Sequence, residues 1–227
     1  MKITWLGQAG LLFDSGKIKM MVDPYLSDSV GKVQPQNCRR VPVDKRFFDV
    51  EPDVMIFTHD HLDHYDPETA FVFLSEGRKP MTVLCPRSVW QKARQMGGSH
   101  NYVEFNRHTE WSEQGICFRA VMAAHSDPFA IGVVIEETES GKTYYITGDT
   151  LYNREIFSDL PSDIDVVFLP INGVGNNMNA TDGTRFAKRC GARLSVPYHV
   201  GMFDEKTPEI FAADNKLVLE IYKETEI

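Results

Sequence analysis

The sequence predicts an α/β (α+β) fold, with sheets covered by helices. Three observations carry this. Short runs rich in Val, Ile, Thr and aromatics recur along the whole chain, bounded by Gly, Pro or Asp. Strand-like runs dominate the first quarter and then mix with helix-like ones, the pattern of a layered domain. The 227 residues carry no repeat, low-complexity tract or long linker, so one domain over residues 1–227 with a sizeable core is expected.

In chain order, strands are predicted at 1–6, 18–22, 54–57, 82–84, 116–123, 131–136, 143–146, 166–169, 194–196 and 217–222. Helices are predicted at 67–75, 86–96, 154–158, 180–190 and 208–213. Asp66 before Pro67 marks a helix start, because Asp can cap and Pro fits the first helical position. Gly191 after Cys190 marks a helix stop. Residues 27–49, with two prolines and the pair Arg39-Arg40, read as a long loop of the kind that often serves as a lid.

Composition narrows the function. The hydrophobic share is 42% and the charged share 25%, ordinary for a soluble protein. No run of about 18 apolar residues suggests a membrane helix. The N-terminus lacks the apolar core of a signal peptide and reads as a first strand, which points to the cytoplasm. A net charge of −8 repels polyanions and argues against nucleic acid as a partner, yet leaves room for a small anionic substrate. A homo-oligomer is compatible with all of this. Cys38, Cys85, Cys117 and Cys190 are widely spaced with no C-x-x-C pair, which suits reduced thiols rather than a disulfide frame or a cysteine zinc site.

The chemistry concentrates in Thr58-His59-Asp60-His61-Leu62-Asp63-His64. A strand-like run leads into it, and residues two apart in an extended segment point to the same side. His59 and His61 can therefore converge on one cation. The turn that follows can send Asp63 and His64 toward a neighbouring one. Three imidazoles and two aspartates in six residues make a poor packing element, since buried polar groups are costly unless paired. Two ions need further ligands. His125, Asp149 and His199 each lie just past the end of a predicted strand, where open α/β sheets commonly place their sites. Asp149 suits a bridge, because a carboxylate can offer an oxygen to each ion. Lone histidines at strand ends are more often structural, and His100 and His108 receive no role.

His59-x-His61-x-Asp63-His64, followed in order by His125, Asp149 and His199, resembles the H-x-H-x-D-H signature of the metallo-β-lactamase fold superfamily. The resemblance implies a four-layered αββα sandwich. It implies that His59, His61 and His125 hold one ion, that Asp63, His64 and His199 hold the second, and that Asp149 bridges. Asp23 in Val22-Asp23-Pro24 matches an early aspartate that steadies the cluster loop without touching metal. Within the superfamily, five stretches resemble the L-ascorbate-6-phosphate lactonase-like branch. They are Trp5-Leu6-Gly7-Gln8-Ala9-Gly10, Asp23-Pro24-Tyr25-Leu26, Ala124-His125-Ser126-Asp127, Thr147-Gly148-Asp149-Thr150 and Pro170-Ile171-Asn172-Gly173.

The expected activity is that of a binuclear metal-dependent hydrolase. A metal-bridging hydroxide would cleave an ester-like bond, such as the lactone of a phosphorylated sugar acid. Asp63 would orient the hydroxide as a catalytic residue, and Arg39 and Arg40 would hold the substrate anion. The ligand set suits zinc or manganese and admits iron or nickel. The alternatives are a phosphodiesterase acting on a small phosphodiester and a metal-binding protein without turnover.

Overall fold

The computed structural model describes residues 1–227. Its strands are β1 (Lys2–Gly7), β2 (Gly10–Asp14), β3 (Lys19–Val22), β4 (Val54–Ile56), β5 (Thr82–Cys85), β6 (Asn101–Glu104), β7 (Glu110–Glu113), β8 (Ile116–Met122), β9 (Ile131–Glu137), β10 (Lys142–Ile146), β11 (Val166–Pro170), β12 (Leu194–Tyr198) and β13 (Glu224–Glu226). The α-helices are α1 (Ser29–Val33), α2 (Pro67–Leu74), α3 (Arg87–Ala93) and α4 (Ala180–Cys190). They fall into two compact units. The first comprises Met1–Glu104, Met202–Glu205 and Leu219–Ile227, and the second Phe105–Gly201 and Lys206–Val218. No helix is long and apolar enough to cross a membrane.

The first unit is built on a seven-stranded mixed sheet in the order β13-β1-β2-β3-β4-β5-β6. Pairing is antiparallel from β13 to β3 and parallel from β3 to β6. Met21, Met55 and Val83 lie in register across β3, β4 and β5. They share one core cluster with Ala70, Phe73 and Leu74 of α2 and Val89 and Ala93 of α3. Burial of this apolar face holds the helices on the sheet, at about 25 cal/mol for each Å² removed from water. α2 starts where the sequence indicates: the Asp66 carboxylate accepts from the Glu68 and Thr69 backbone N–H groups, with Pro67 at the first helical position.

The second unit carries a six-stranded mixed sheet in the order β12-β11-β10-β9-β8-β7. β10, β11 and β12 run parallel, whereas β7 to β10 form an antiparallel meander. α4 is capped by Asn179, which accepts from Asp182 N, and ends at Gly191 in the left-handed region. At Gly183 an added Cβ would lie 3.1 Å from Ile171 and 3.4 Å from Leu169, so the missing side chain lets α4 approach β11 closely. Phe186 of α4 stacks on Phe157 at 4.9 Å and meets Tyr145 at 6.3 Å.

Several sequence expectations are corrected. Residues 217–222 form no strand: Leu217 N–H goes to Ser195 O and Tyr222 N–H to Trp5 O, so no continuous ladder can form. The C-terminal strand is β13 instead. Residues 154–158 and 208–210 are single 3₁₀ turns, and the predicted helix over 86–96 ends in another at 94–96. The long loop contains α1 and two 3₁₀ turns.

One ion pair, buried on its carboxylate side only, sets the approach to β8. The Asp159 carboxylate, 6% exposed, accepts both Arg107 guanidinium arms at 2.7 and 2.9 Å and the Met122 backbone N–H at 2.9 Å. The Arg107 hydrogen bonds are the main reason its pKa is pushed down to about 2. An unfolded Asp titrates near 3.9, so this contribution is complete above about pH 4 and is lost as pH falls through about 2. Arg107 is itself partly exposed, which reduces the value of the pair. Arg107→Ala is expected to lower stability by about 1 to 2 kcal/mol at pH 7. Urea unfolding of both proteins from pH 7 to 2 should show the gap closing between about pH 4 and 2.

Candidate metal centre

Both units place their chemistry beyond strand ends. In the first, β3 ends at Val22 and Asp23 turns away with φ of 42°. Asp23 N–H bonds to Ile56 O at 2.9 Å, which puts the carboxylate beside the residues following β4. That carboxylate is fully buried. It accepts Thr58 N–H at 2.8 Å, the Thr58 hydroxyl at 2.5 Å and His64 Nδ1 at 2.8 Å. A burial of this kind is tolerable because the charge is met by donors.

These bonds set the imidazole tautomers. A carboxylate only accepts, so His64 carries its proton on Nδ1 and presents the Nε2 lone pair. Thr58 gives its one hydroxyl proton to Asp23, so its oxygen accepts from His59 Nδ1 at 3.0 Å, and His59 also presents Nε2. A tight turn, with His64 N–H and Tyr65 N–H both bonded to His61 O, folds the cluster back on itself. The His59 ring centre lies 4.7 Å from that of His61 and 4.0 Å from that of His64. His64 Nε2 stands 4.0 Å from Asp63 Oδ2, to which Gln8 Nε2 donates at 2.7 Å. Asp60 points elsewhere, to Lys92 at 2.8 Å.

The second unit repeats the arrangement with other strands. His125 follows β8, and its Nδ1 faces the Asn176 carbonyl at 3.4 Å, which places the proton on Nδ1 and leaves the Nε2 lone pair open to a cation. Asp149 follows β10, and one donor atom from each of His125 and Asp149 lies within 4.8 Å of the other. His199 follows β12 with φ of 54°, and its Nε2 faces Asp149 Oδ1 at 3.2 Å. Asn172 Oδ1 accepts Val174 N–H, so its amide nitrogen donates to His199 Nδ1 at 2.9 Å and the proton of a neutral His199 ring lies on Nε2, facing Asp149. Cross-links between the loops hold this geometry: Ala124 N–H bonds to Thr150 Oγ1, Leu151 N–H to Ala124 O, and Met178 N–H to Thr150 O.

The donor chemistry fits a first-row divalent cation. Imidazole nitrogens and carboxylate oxygens converge within each unit, with ring orientation fixed from behind by hydrogen bonds. The residues expected to bind a substrate anion behave differently. The Arg39 guanidinium donates to Val41 O, Tyr25 O, Leu6 O and the Tyr222 hydroxyl, and it lies 5.3 Å from the Tyr25 ring centre. Its hydrogen-bonding capacity is directed into the protein, which corrects its expected role as an anion contact. Arg40 is exposed and pairs with Glu205 at 3.1 Å.

Comparison with known proteins agrees with this construction. A family model for the β-lactamase superfamily domain matches residues 19–200. The chain belongs to the metallo-β-lactamase superfamily. A UPF0173 metal-dependent hydrolase of Thermoplasma acidophilum is 27% identical over 227 residues, covering 94% of this chain and 90% of the relative. Among solved structures, an isothiocyanate hydrolase from Delia radicum gut bacteria matches with a TM-score of 0.76 at 20% identity, covering 100% of this chain and 99% of that one. A metallo-β-lactamase fold protein of Bacillus subtilis matches with a TM-score of 0.72 at 18% identity, covering 99% and 98%. The α/β fold is thus that of the metallo-β-lactamases, and the family is one of metal-dependent hydrolases.

Sequence reasoning did not assign roles to Gln8, Thr58, Asn172 or Asn177. The available signal was density: Asn172, Asn176, Asn177 and Asn179 are four carboxamides within eight residues, in a loop next to predicted ligands. Asp23→Asn is expected to weaken zinc or manganese binding by about 10- to 100-fold, because it disturbs the acceptor that sets His64 and Thr58. Titration against a competing chelator measures this, and wild-type affinity in the variant would remove Asp23 from the metal-supporting role.

Proposed function

We propose that this member of the superfamily is a binuclear hydrolase that cleaves an ester-like acyl–oxygen bond, with a lactone of a phosphorylated sugar acid as the leading substrate class. The observation supporting it most is the donor set, in which each unit aims imidazole and carboxylate groups from the ends of its strands. His59, His61 and His125 are read as holding one ion, Asp63, His64 and His199 the other, and Asp149 as the bridge. Zinc or manganese suits these donors, and iron or nickel is admitted. Divalent ions held there supply a Lewis acid for the carbonyl oxygen and lower the pKa of water from 15.7 to roughly 7.

The chain's own groups then have defined tasks. Asp63 orients the attacking water, and Gln8 holds that carboxylate in turn. Asp23 and Thr58 keep the histidine lone pairs turned outward. The water oxygen bonds to the acyl carbon, the acyl–oxygen bond breaks, and a water proton leaves with the released alkoxide. Two divalent cations against the two ligand aspartates leave a positive surplus that favours an anionic substrate in a chain of net charge −8.

Metal analysis with a screen of lactones, phosphodiesters and thioesters tests the reading. About two equivalents of metal are expected, with lactone turnover lost in His61→Ala and after chelation, then restored by adding metal back. Tight metal binding without turnover on any class would sink the hydrolase reading in favour of a binding protein. Turnover confined to phosphodiesters would move the substrate class.

The arginine pair gives a separate check. Arg40→Ala is expected to raise KM on a phosphorylated lactone several-fold with kcat little changed, since an exposed charge contributes attraction more than alignment. Arg39→Ala is expected to lower the unfolding temperature instead, because it strands the carbonyls it holds. An unchanged KM in Arg40→Ala removes this residue from the substrate contacts.

A further inference from the structure

The ordinary carboxylates of this protein are partnered by cations. Asp159 is held by Arg107, Asp60 by Lys92, Asp53 by Lys79 and Asp165 by Arg193. Asp23 and Asp66 are instead met by hydroxyl, imidazole or backbone donors, and Asp63 and Asp149 differ from all of these in taking a hydrogen bond from a buried side-chain carboxamide.

The amide beside Asp149 has no freedom in its orientation. Asn177 Oδ1 accepts the Thr150 backbone N–H at 3.1 Å, so the Asn177 nitrogen must be the end facing Asp149 Oδ2, at 2.8 Å. The other oxygen, Oδ1, is the one that faces His199 Nε2 at 3.2 Å. The carboxylate is therefore oriented with Oδ2 on the Asn177 amide and Oδ1 on the His199 side.

At Asp63 the same logic runs through Gln8. A carboxylate only accepts, so the Gln8 nitrogen faces Asp63 Oδ2, and this is the oxygen directed toward His64 Nε2. Gln8 is 2% exposed and sits at φ of 48°, a conformation that is strained for a non-glycine residue. Trp5 Nε1 donates to its carbonyl at 2.9 Å and fixes that turn. A glycine would relieve the backbone but could not reach Asp63.

We propose that Asn177 and Gln8 are positioning residues that orient the carboxylates of Asp149 and Asp63, the two that would hold metal, with neutral hydrogen bonds. The inference rests on the metal-centre reading above. Its physical reason is charge. A lysine or arginine in either place would orient the carboxylate equally well but would cancel the negative charge that draws a cation, whereas an amide leaves that charge intact.

Gln8→Met removes the amide with little change of size and no change of charge, and Asn177→Ala removes the other. Both are loaded with manganese(II) chloride for calorimetry and with cobalt(II) chloride for visible spectroscopy. Metal-free thermal unfolding is followed in parallel. The expected result is a loss of manganese affinity of about 10- to 100-fold in each variant. The cobalt bands should change in position and intensity as the released carboxylate alters its coordination, which a loss of packing alone would not produce. If Asn177→Ala does not fold, Asn177→Asp keeps an oxygen for Thr150 N–H and is measured in its place, with an altered cobalt spectrum expected. Wild-type affinity and an unchanged spectrum in the variants would overturn this inference alone. A wild-type chain that binds neither manganese nor cobalt would overturn the metal reading and this one together.

Discussion

The buried carboxylate of Asp23 is the interaction on which the order of the histidine cluster depends. An unpaired charge in that position would be among the most expensive features a fold could carry, and three donors make it tolerable. All three come from the loop after β4. The carboxylate can meet them only if β3 and β4 are parallel neighbours and if Asp23 leaves β3 through a left-handed turn. The strand order of the first unit, the turn, and the tautomers of His59 and His64 are thus consequences of one requirement. Asp tolerates the left-handed region better than most residues, so the residue that supplies the charge also suits the turn.

The second unit meets the same need without a buried anion behind its histidines. His125 faces a main-chain carbonyl through Nδ1, whereas the His199 ring is held by an amide N–H that donates to its Nδ1, which fixes orientation but not the same tautomer. These backings are neutral, and they come from the loop at 172–179, which is itself tied to Thr150 beside Asp149. The first unit therefore orders its donors through a charge, and the second through a mesh of carboxamide and backbone hydrogen bonds. Bonds in such a mesh polarise and support one another, so each contributes to the order of the whole.

The candidate ligands are legible in the sequence because each is a local signal: an imidazole or carboxylate just after an apolar run. The strands that the sequence pattern does not mark are mostly edges. β6, β7 and β13 close the ends of the two sheets and read Asn-Tyr-Val-Glu, Glu-Trp-Ser-Glu and Glu-Thr-Glu. Edge strands are often polar because an apolar edge invites pairing with other chains, and that polarity hides them from a search for β-branched runs. The supporting residues were hidden for another reason. Gln8 is 55 positions from Asp63 and Asn177 is 28 from Asp149, and nothing local to either residue reveals its partner. Arg39 shows the reverse error. An arginine in a long loop invites an anion-binding role, but only the tertiary structure shows four acceptors around its guanidinium.

The contrast between cation-paired and amide-paired carboxylates connects stability with function. Where a carboxylate serves the fold, as Asp159 does, a guanidinium lowers its pKa and locks it, and the pair is close to neutral to its surroundings. A ligand carboxylate has the opposite requirement, because its charge must remain available to attract the cation. Orientation then has to come from groups that donate hydrogen bonds without contributing charge, and the carboxamide is the side chain that does this with a planar, directional donor. The strained backbone of Gln8 indicates how strongly that need is expressed. A turn that glycine would occupy at lower conformational cost holds a residue whose side chain reaches across the unit to Asp63. The strain is intelligible if the residue is retained for the carboxylate it orients rather than for the turn it forms.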